Sequence, residues 1–429
     1  MNVGDLTYEQ NLAYHKICMG DNVFLTGRPG TGKSHLLQAF FKEHGMDGTT
    51  AFVAPTGMAA RNIGGVTIHS FFELPCTPIL DTPSYPSPRA FLRLRACEVL
   101  IVDEISMVRS DIFTAMDRRM RLAKACPHLP FGGCQVVLCG DFHQLPPVVE
   151  SPFISEELFR KYGGIFAFET EAWQQADFQS IILKQQIRQS EDPDFIAMLN
   201  AIRENSPEIM DAITALNSQV RTRDEDTPVL CCRRNEAAAI NHAMLDAIPG
   251  PAVAFKACVH VFHDTEPIAK ELQELPCDEE IVLKEGCKVM VLRNCPGVCV
   301  NGDTGVVESW SDDTVTVRLQ NSLTTQFERV EWPLYTYSLD VNGKLEIQHI
   351  ASVWQFPLTL GYATTIHKAQ GSTLRRAHID IGVGCWESGQ LYVALSRVRH
   401  LDDLTLERAV GYQDLAPSSL NERLIELGY

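Results

Sequence analysis

No stretch of the 429-residue chain reaches the run of about eighteen uncharged apolar residues that a membrane-spanning helix needs, and the N-terminus lacks the charged-then-apolar layout of a secretory signal. These absences point to a soluble, intracellular protein of nucleus or cytoplasm with no membrane partner. A positive balance is missing too: Lys and Arg number 37 against 54 Asp and Glu, a formal charge of −17. That argues against a protein that coats nucleic acid through charge alone. It leaves room for a basic groove between acidic faces such as Asp224 to Asp226 and Asp278 to Glu280. The 14 cysteines include no C-x-x-C pair and lie in core-like segments such as Val136-Val137-Leu138-Cys139, so they read as reduced, mostly buried thiols. Adjacent Cys231-Cys232 and the Cys295/Cys299 pair are the nearest approach to metal-ligand sets. No short-period repeat or low-complexity tract is found, and the length suggests two or three domains.

What is present is most specific at residues 23–34, Val-Phe-Leu-Thr-Gly-Arg-Pro-Gly-Thr-Gly-Lys-Ser. A short apolar strand runs into a G-x-x-x-x-G-K-S turn, the pattern of a phosphate-binding loop. Gly27, Gly30 and Gly32 let the backbone curl so that its N–H groups face phosphate oxygens, with Arg28, Pro29 and Thr31 completing the loop and His35 following it. Lys33 neutralises the β and γ phosphates of a nucleoside triphosphate, and Ser34 holds Mg²⁺ through its hydroxyl. The strand Val99-Leu100-Ile101-Val102 ends in Asp103-Glu104: Asp103 is placed as the second Mg²⁺ ligand and Glu104 as the group polarising the attacking water. Another strand end, Leu138-Cys139-Gly140-Asp141-Phe142-His143-Gln144-Leu145-Pro146-Pro147, offers Gln144, a neutral amide able to bond a γ-phosphate or the water without competing for Mg²⁺. Arg188 and Arg397 stand apart from this set and suit an arginine supplied to the transferring phosphoryl group.

Apolar runs at Val23 to Thr26, Ala51 to Ala54, Val99 to Val102 and Val136 to Cys139 alternate with helical stretches, the pattern of a parallel sheet wrapped by helices. Pro-rich Leu74 to Pro88 interrupts it and reads as an insertion exposed beside the core. From about Lys288 to Ser352 the periodicity changes to two, with Asn301-Gly302 and Asn342-Gly343 as hairpin turns. The resulting division is a first core over 1–182 with a wedge segment at about 70–95, a second core over 183–290 and 352–429, and a small antiparallel β-barrel inserted at 291–351.

Taken together and in order, these segments resemble the PIF (petite integration frequency) family of superfamily 1B DNA helicases, cousins of RecD-like helicases. The likeness spans nearly the whole chain: Leu6 to Gln10, the phosphate loop, Ala54 to Phe72, Asp103 to Met107, Gly140 to Pro147, Arg188-Gln189, Asn301 to Gly305, Thr364 to Thr373 and Tyr392 to Arg399. The resemblance implies an α/β fold of two RecA-like P-loop NTPase cores, with ATP-Mg²⁺ between them and single-stranded DNA across their top. It further implies that Gln10 reads adenine, that Arg188 and Arg397 are the γ-phosphate arginines, and that Gly371 lies near the nucleotide. Thr56, His69, Ser70, Phe71, Thr365, His367 and Lys368 then face DNA, with Phe71 stacking on a base; a core position for Phe71 and Phe72 is the competing reading. The activity implied is ATP-dependent translocation 5′ to 3′ along a single strand and unwinding of forked duplexes in replication, repair or recombination, by a monomer that meets other proteins of those processes. A translocase that does not separate strands and an inactive DNA-binding subunit of a recombination complex are the alternatives. Nine residues precede Gln10 and little follows the last motif, so a nearly bare motor is expected.

Overall fold

The computed structural model describes residues 6–44, 47–75, 77–80, 85–149, 151–185, 192–224, 227–262, 275, 277–295, 297–299, 301–370, 374–415, 420 and 423–424. The chain divides into two compact units, Met1–Phe142 with Pro146–Arg188 and Tyr335–Ile350, and His143–Leu145 with Gln189–Leu334 and Ala351–Tyr429.

In the first unit six short strands, β1 (Val23–Gly27), β2 (Thr50–Ala54), β3 (Val66–Thr67), β4 (Val99–Val102), β5 (Gln135–Cys139) and β6 (Gln179–Leu183), pair in the order β3-β2-β4-β5-β1-β6. All five pairings are parallel. Strands covered by helices on both faces carry no polar alternation, which is why β2 is buried at every residue and β4 and β5 at all but their first. Helix Tyr8–Cys18 is started by a reciprocal capping box between Thr7 and Gln10. It buries Ala13, Tyr14 and Ile17 in one cluster with Leu36, Leu37 and Phe40 of helix Lys33–His44 and with Val23, Leu25, Phe52, Ile101 and Val137 of the sheet. Each large side chain so buried contributes about 1.5–3 kcal/mol. The parallel order brings the C-terminal ends of β1, β4 and β5 side by side.

The second unit continues with β7 (Val229–Cys231), β8 (Val253–Lys256), β9 (Cys258–Val261), β10 (Glu280–Leu283), β11 (Lys288–Val291), β12 (Thr304–Trp310), β13 (Thr314–Leu319), β14 (Thr324–Glu328), β15 (Val330–Leu339), β16 (Leu345–Gln355), β17 (Leu358–Leu360), β18 (Ala363–Thr365), β19 (Ala377–Asp380) and β20 (Leu404–Leu406). Four of these, in the order β18-β7-β19-β20, form a second parallel sheet. Its core joins Leu230, Ile366, Ile379, Leu404 and Leu406 to helices Pro193–Glu204, Ile209–Asn217 and Gln390–Leu395.

Both parallel sheets fit the expected two-core α/β fold, while the antiparallel part is larger than the 291–351 read from alternation. Strands β8, β10, β11 and β17 share one core with β12, β13 and β14 through Phe255, Ile281, Val289, Val317, Phe327 and Leu358. Strands β8 and β10 precede Lys288, where the alternating stretch begins, so that stretch does not include them. Residues 335–350, the far ends of β15 and β16, count with the first unit, and Leu183 ends β6 in the first sheet rather than opening the second.

The wedge segment is also less exposed than expected. Leu74 and Ile79 are buried, and Arg93 of helix Pro88–Ala96 is 1% exposed. The segment is fastened at several points: Glu73 accepts from the Ser87 N–H and hydroxyl, Asp111 accepts from the Ile79 N–H at 2.7 Å, and the Tyr162 hydroxyl donates to the Ile79 carbonyl. A proline-rich sequence excludes regular ladder bonds but not side-chain anchors, and those are what hold this loop. Residues 76 and 81–84 lie outside the described set.

Candidate active site

The phosphate loop leaves β1 at Gly27, whose φ of 151° is paired with a tight approach: a Cβ there would stand 2.5 Å from the Leu183 carbonyl oxygen of β6. Only glycine lets the chain turn out of the sheet this close to a neighbouring strand. Within the loop the Thr31 N–H and hydroxyl both bond the Arg28 carbonyl, at 3.3 and 2.8 Å. Pro29 is buried, Gly30 and Gly32 take positive φ, and helix Lys33–His44 begins directly after. Lys33 folds back over the turn and donates to the Gly27 and Arg28 carbonyls at 2.6 and 3.2 Å, so its charge hangs over the concave side of the loop. Ser34 is exposed on the first helical turn and His35 is half-buried beside it.

Gln10 is brought to this loop, though not as an open adenine reader. It is 1% exposed; its Nε2 donates to the Thr31 and Gly32 carbonyls at 3.3 and 3.2 Å, and its Oε1 accepts from the Thr7 N–H at 2.9 Å. In this arrangement the amide braces the loop, and pairing with a base requires exchanging those partners.

Asp103 lies at the end of β4, between β2 and β5, with its N–H continuing the ladder to the Val53 carbonyl. Burial pushes its carboxyl pKa up; the Glu104 N–H, the Cys139 thiol and the Lys33 ammonium act in the opposite direction. The Lys33 charge thus acts on Asp103, so the loop lysine and the strand-end acid share one site. Glu104 takes a left-handed backbone, φ 51° and ψ 45°, a conformation that turns the chain sharply away from the strand. Gly140 makes room for that turn, because a Cβ there would come within 2.9 Å of Ile105 Cγ2 and 3.0 Å of its N. Serine hydroxyl and aspartate carboxylate are hard oxygen donors, and one or two such groups are what Mg²⁺ takes from a protein when phosphates supply the rest. Among the described residues no cluster of three His, Cys, Asp or Glu competes as a metal site.

After Phe142, which packs on Phe24, Phe168 and Trp173, the chain passes to the second unit at His143–Leu145. There Leu145 enters the core with Leu391, Tyr392 and Leu395. Gln144, 7% exposed, has its backbone against Gly389 at the start of helix Gln390–Leu395. The same helix leads to Arg397, also buried at 1% exposure, whose guanidinium donates to the Val393 and Ala369 carbonyls and the Ser396 hydroxyl at 2.7, 3.3 and 2.6 Å. Gln144 and Arg397 are thus mounted on one packed assembly of the second unit. Gly389 has no motif to announce it in sequence. Arg188 and Gly371 lie outside the described residues.

The residues expected to face DNA fall at strand-to-helix turns. Thr56 caps helix Gly57–Asn62 by accepting from the Ala59 N–H, and Thr67 caps helix Ile68–Phe72, where His69 and Ser70 are half-buried. Thr365 repeats the arrangement in the second unit, accepting from the Lys368 N–H at 3.2 Å at the head of helix Ile366–Ala369. Lys368 is exposed with Asp278 3.9 Å away; His367 stacks on Trp386 and meets Glu387 at 3.4 Å. The Thr-Ile-His run at 67–69 and again at 365–367 gives both units the same capped turn.

Phe71 departs from expectation. It is 0% exposed, edge-on to Phe72 and Tyr337 and 5.3 Å from the Arg93 guanidinium, which also bonds the Ser70 and Tyr337 carbonyls. No face is left for a base, so the core reading holds. An aromatic after a polar turn carries no sequence signal that separates stacking platform from core.

Residues 5–210 match the PIF1-like helicase family. Over 415 residues the chain is 35% identical to the ATP-dependent DNA helicase Pif1 of Bdellovibrio bacteriovorus, covering 94% of this chain and 88% of that protein. It is 33% identical to human ATP-dependent DNA helicase PIF1, of which it spans 60% while 93% of this chain is matched. Among solved structures, Bacteroides sp Pif1 with ADP-AlF4 superimposes with a TM-score of 0.86 at 33% identity, covering 99% of this chain and 97% of that one. Bacteroides Pif1 bound to ssDNA gives 0.68 at 34% identity, covering 98% and 96%. With a loop lysine and a strand-end acid in one site, two parallel sheets and a bacterial Pif1 relative of which 88% is covered at 35% identity, the chain belongs to the PIF1-like helicase family.

Proposed function

We infer that the chain is an ATP-dependent DNA helicase. The observation that carries this reading is the joining of Lys33, the glycine-rich phosphate loop and the buried Asp103 in one site at the ends of β1 and β4. When bound, Mg²⁺ supplies charge neutralisation at the β and γ phosphates, and Ser34 and Asp103 are the residues that would hold it. Lys33 exchanges its two loop carbonyls for phosphate oxygens, and Glu104 orients the attacking water and takes its proton. Gln144 reports the γ-phosphate to helix Gln390–Leu395, which leads to Arg397. Arg188 and Arg397 are assigned to charge on the transferring phosphoryl group, a role in which Arg397 gives up its Val393, Ala369 and Ser396 acceptors.

Thr56, His69, Ser70, Thr365, His367 and Lys368 are assigned to the phosphates of a single strand. A threonine hydroxyl that accepts the capping bond still has its proton to donate to a phosphate oxygen. The direction is 5′ to 3′, the substrates are single-stranded and forked DNA, and the segment anchored by Asp111, Tyr162 and Glu73 meets the duplex. Lys33→Ala tests the reading: the variant folds, as judged by circular dichroism, and loses DNA-stimulated ATP hydrolysis. Wild-type turnover in that variant contradicts the assignment.

A further inference from the structure

Two thiols stand beside the His367 turn that the motifs leave unused. Cys232 follows β7 and is buried; Cys385, half-buried, precedes Trp386 in the connection to helix Gln390–Leu395. Their Sγ atoms are 3.9 Å apart. The surroundings tie this pair to the turn. Trp386 Nε1 and Gln390 Nε2 both donate to the Cys232 carbonyl at 3.3 Å. The indole of Trp386 lies nearly parallel to the His367 ring, 16° between planes and 5.7 Å between centroids, and Glu387 Oε2 is 3.4 Å from His367 Nε2. Thiol pair, indole, carboxylate and imidazole therefore form one continuous patch.

We propose that Cys232 and Cys385 are a reversible oxidation site, closed to a disulfide by hydrogen peroxide, and that closure displaces Trp386 and Glu387 and so loosens the hold of His367 on a DNA strand. The effect on DNA rests on the role given to His367 above; the thiol chemistry does not.

The step balances without any further reactant. The Cys232 sulfur, as thiolate, attacks one peroxide oxygen and releases hydroxide, leaving a sulfenic acid. The Cys385 sulfur then attacks that sulfur, its proton and the departing hydroxide leave as water, and the disulfide forms. Two thiols lose two electrons, one peroxide gains them, and two waters result. The hydrogen bond between the two thiols lowers the Cys232 pKa and raises that of Cys385, which assigns the attacking thiolate to Cys232.

Geometry decides which side moves. A disulfide needs its sulfurs at about 2.05 Å, so the pair must close by roughly 1.9 Å. Cys232 is held at the end of a strand paired on both sides, whereas Cys385 sits between Gly384 and Gly389, both at positive φ, in a connection without ladder bonds. Cys385 is the mobile partner, and Trp386 and Glu387 follow it. Cys97 and Cys134 provide an internal contrast: their sulfurs are 4.0 Å apart, but both residues are buried in the first unit and burial pushes the Cys97 thiol well up. With no third metal-type ligand nearby among the described residues, the chemistry open to the pair is oxidation rather than metal binding.

The test uses the full chain, treated with hydrogen peroxide, quenched and mapped by peptide mass spectrometry, in parallel with fluorescence anisotropy on a labelled oligothymidine. The expected result is a Cys232–Cys385 linked peptide, a several-fold loss of oligothymidine affinity, and recovery of both with dithiothreitol. Cys385→Ser and Cys232→Ser should each abolish the linked peptide and make affinity indifferent to peroxide. Absence of the link in the wild type, or a link that leaves affinity unchanged, overturns the proposal. If the reduced protein fails to bind oligothymidine while the link forms, the DNA reading has failed and with it the regulatory half, and the oxidation site stands.

Discussion

Gly389→Ala is the smallest substitution for which the structure predicts a large effect. An added Cβ would lie 2.3 Å from the Gln144 carbonyl oxygen and 2.5 Å from that of His143, both backbone atoms, where a carbon–oxygen contact normally needs about 3.3–3.6 Å. Gly389 also has φ 76°, a left-handed conformation that costs an alanine about 1–2 kcal/mol. The His143–Leu145 segment cannot simply recede, since Leu145 is fully buried against Leu391, Tyr392 and Leu395. Relieving such overlap in a packed interior adds about 1–3 kcal/mol, for a total near 2–5 kcal/mol. Urea unfolding should show a lowered midpoint, and single-stranded DNA should stimulate ATP turnover less, because Gln144 is displaced. Nucleotide affinity should be nearly retained, because the phosphate loop is untouched. Gly286→Ala is the control: φ is 83° with nothing within 4 Å of the added methyl, so only the conformational part, about 1–2 kcal/mol, is expected. A Gly389→Ala protein that unfolds at the wild-type midpoint with wild-type turnover would refute the reasoning.

Two further substitutions test burial and charge. Phe71→Leu removes the edge contacts to Phe72 and Tyr337 and the guanidinium over the ring; thermal melting should show a loss of about 1–2 kcal/mol, with oligothymidine affinity unchanged, and a selective loss of affinity would restore a base-stacking role. The Asp414 carboxylate is held below the usual range by the Arg408 guanidinium, at 2.7 and 3.0 Å, and by the Gly411 N–H. A depressed carboxyl stabilises the fold above its unfolded value of about 3.9, and that stability is lost as pH falls through the lower folded value. Asp414→Asn should therefore have a lower urea midpoint than wild type near about pH 6, with the gap narrowing near about pH 3; a gap that does not change with pH contradicts the pairing.

Local spacing made much of this site legible. The loop from Gly27 to Ser34 and the acids at 103 and 104 depend on a strand running into a turn, and such short-range geometry is written in consecutive residues. The turns at Thr56, Thr67 and Thr365 are equally local, each threonine capping the helix that follows it. Burial was harder to read. Phe71 and Leu74 sit in a run of mixed polarity, and the enclosure of Phe71 depends on Arg93 and on Tyr337, 244 positions from Arg93 along the chain. Strands β8 and β10 lie before the alternating stretch that begins near Lys288, so alternation did not mark where the antiparallel body begins.

The sequence by itself determined that this chain carries a phosphate loop, a strand-end acid pair and two α/β cores, because hydrogen-bond geometry and hydrophobic period act over a few residues. Only the tertiary structure decided that Gln10 braces the loop, that Phe71 is core, that Gly389 underlies Gln144 and that Cys232 meets Cys385. Each of those outcomes depends on which distant segments share a packed interior, where excluded volume and burial, rather than spacing along the chain, set the partners.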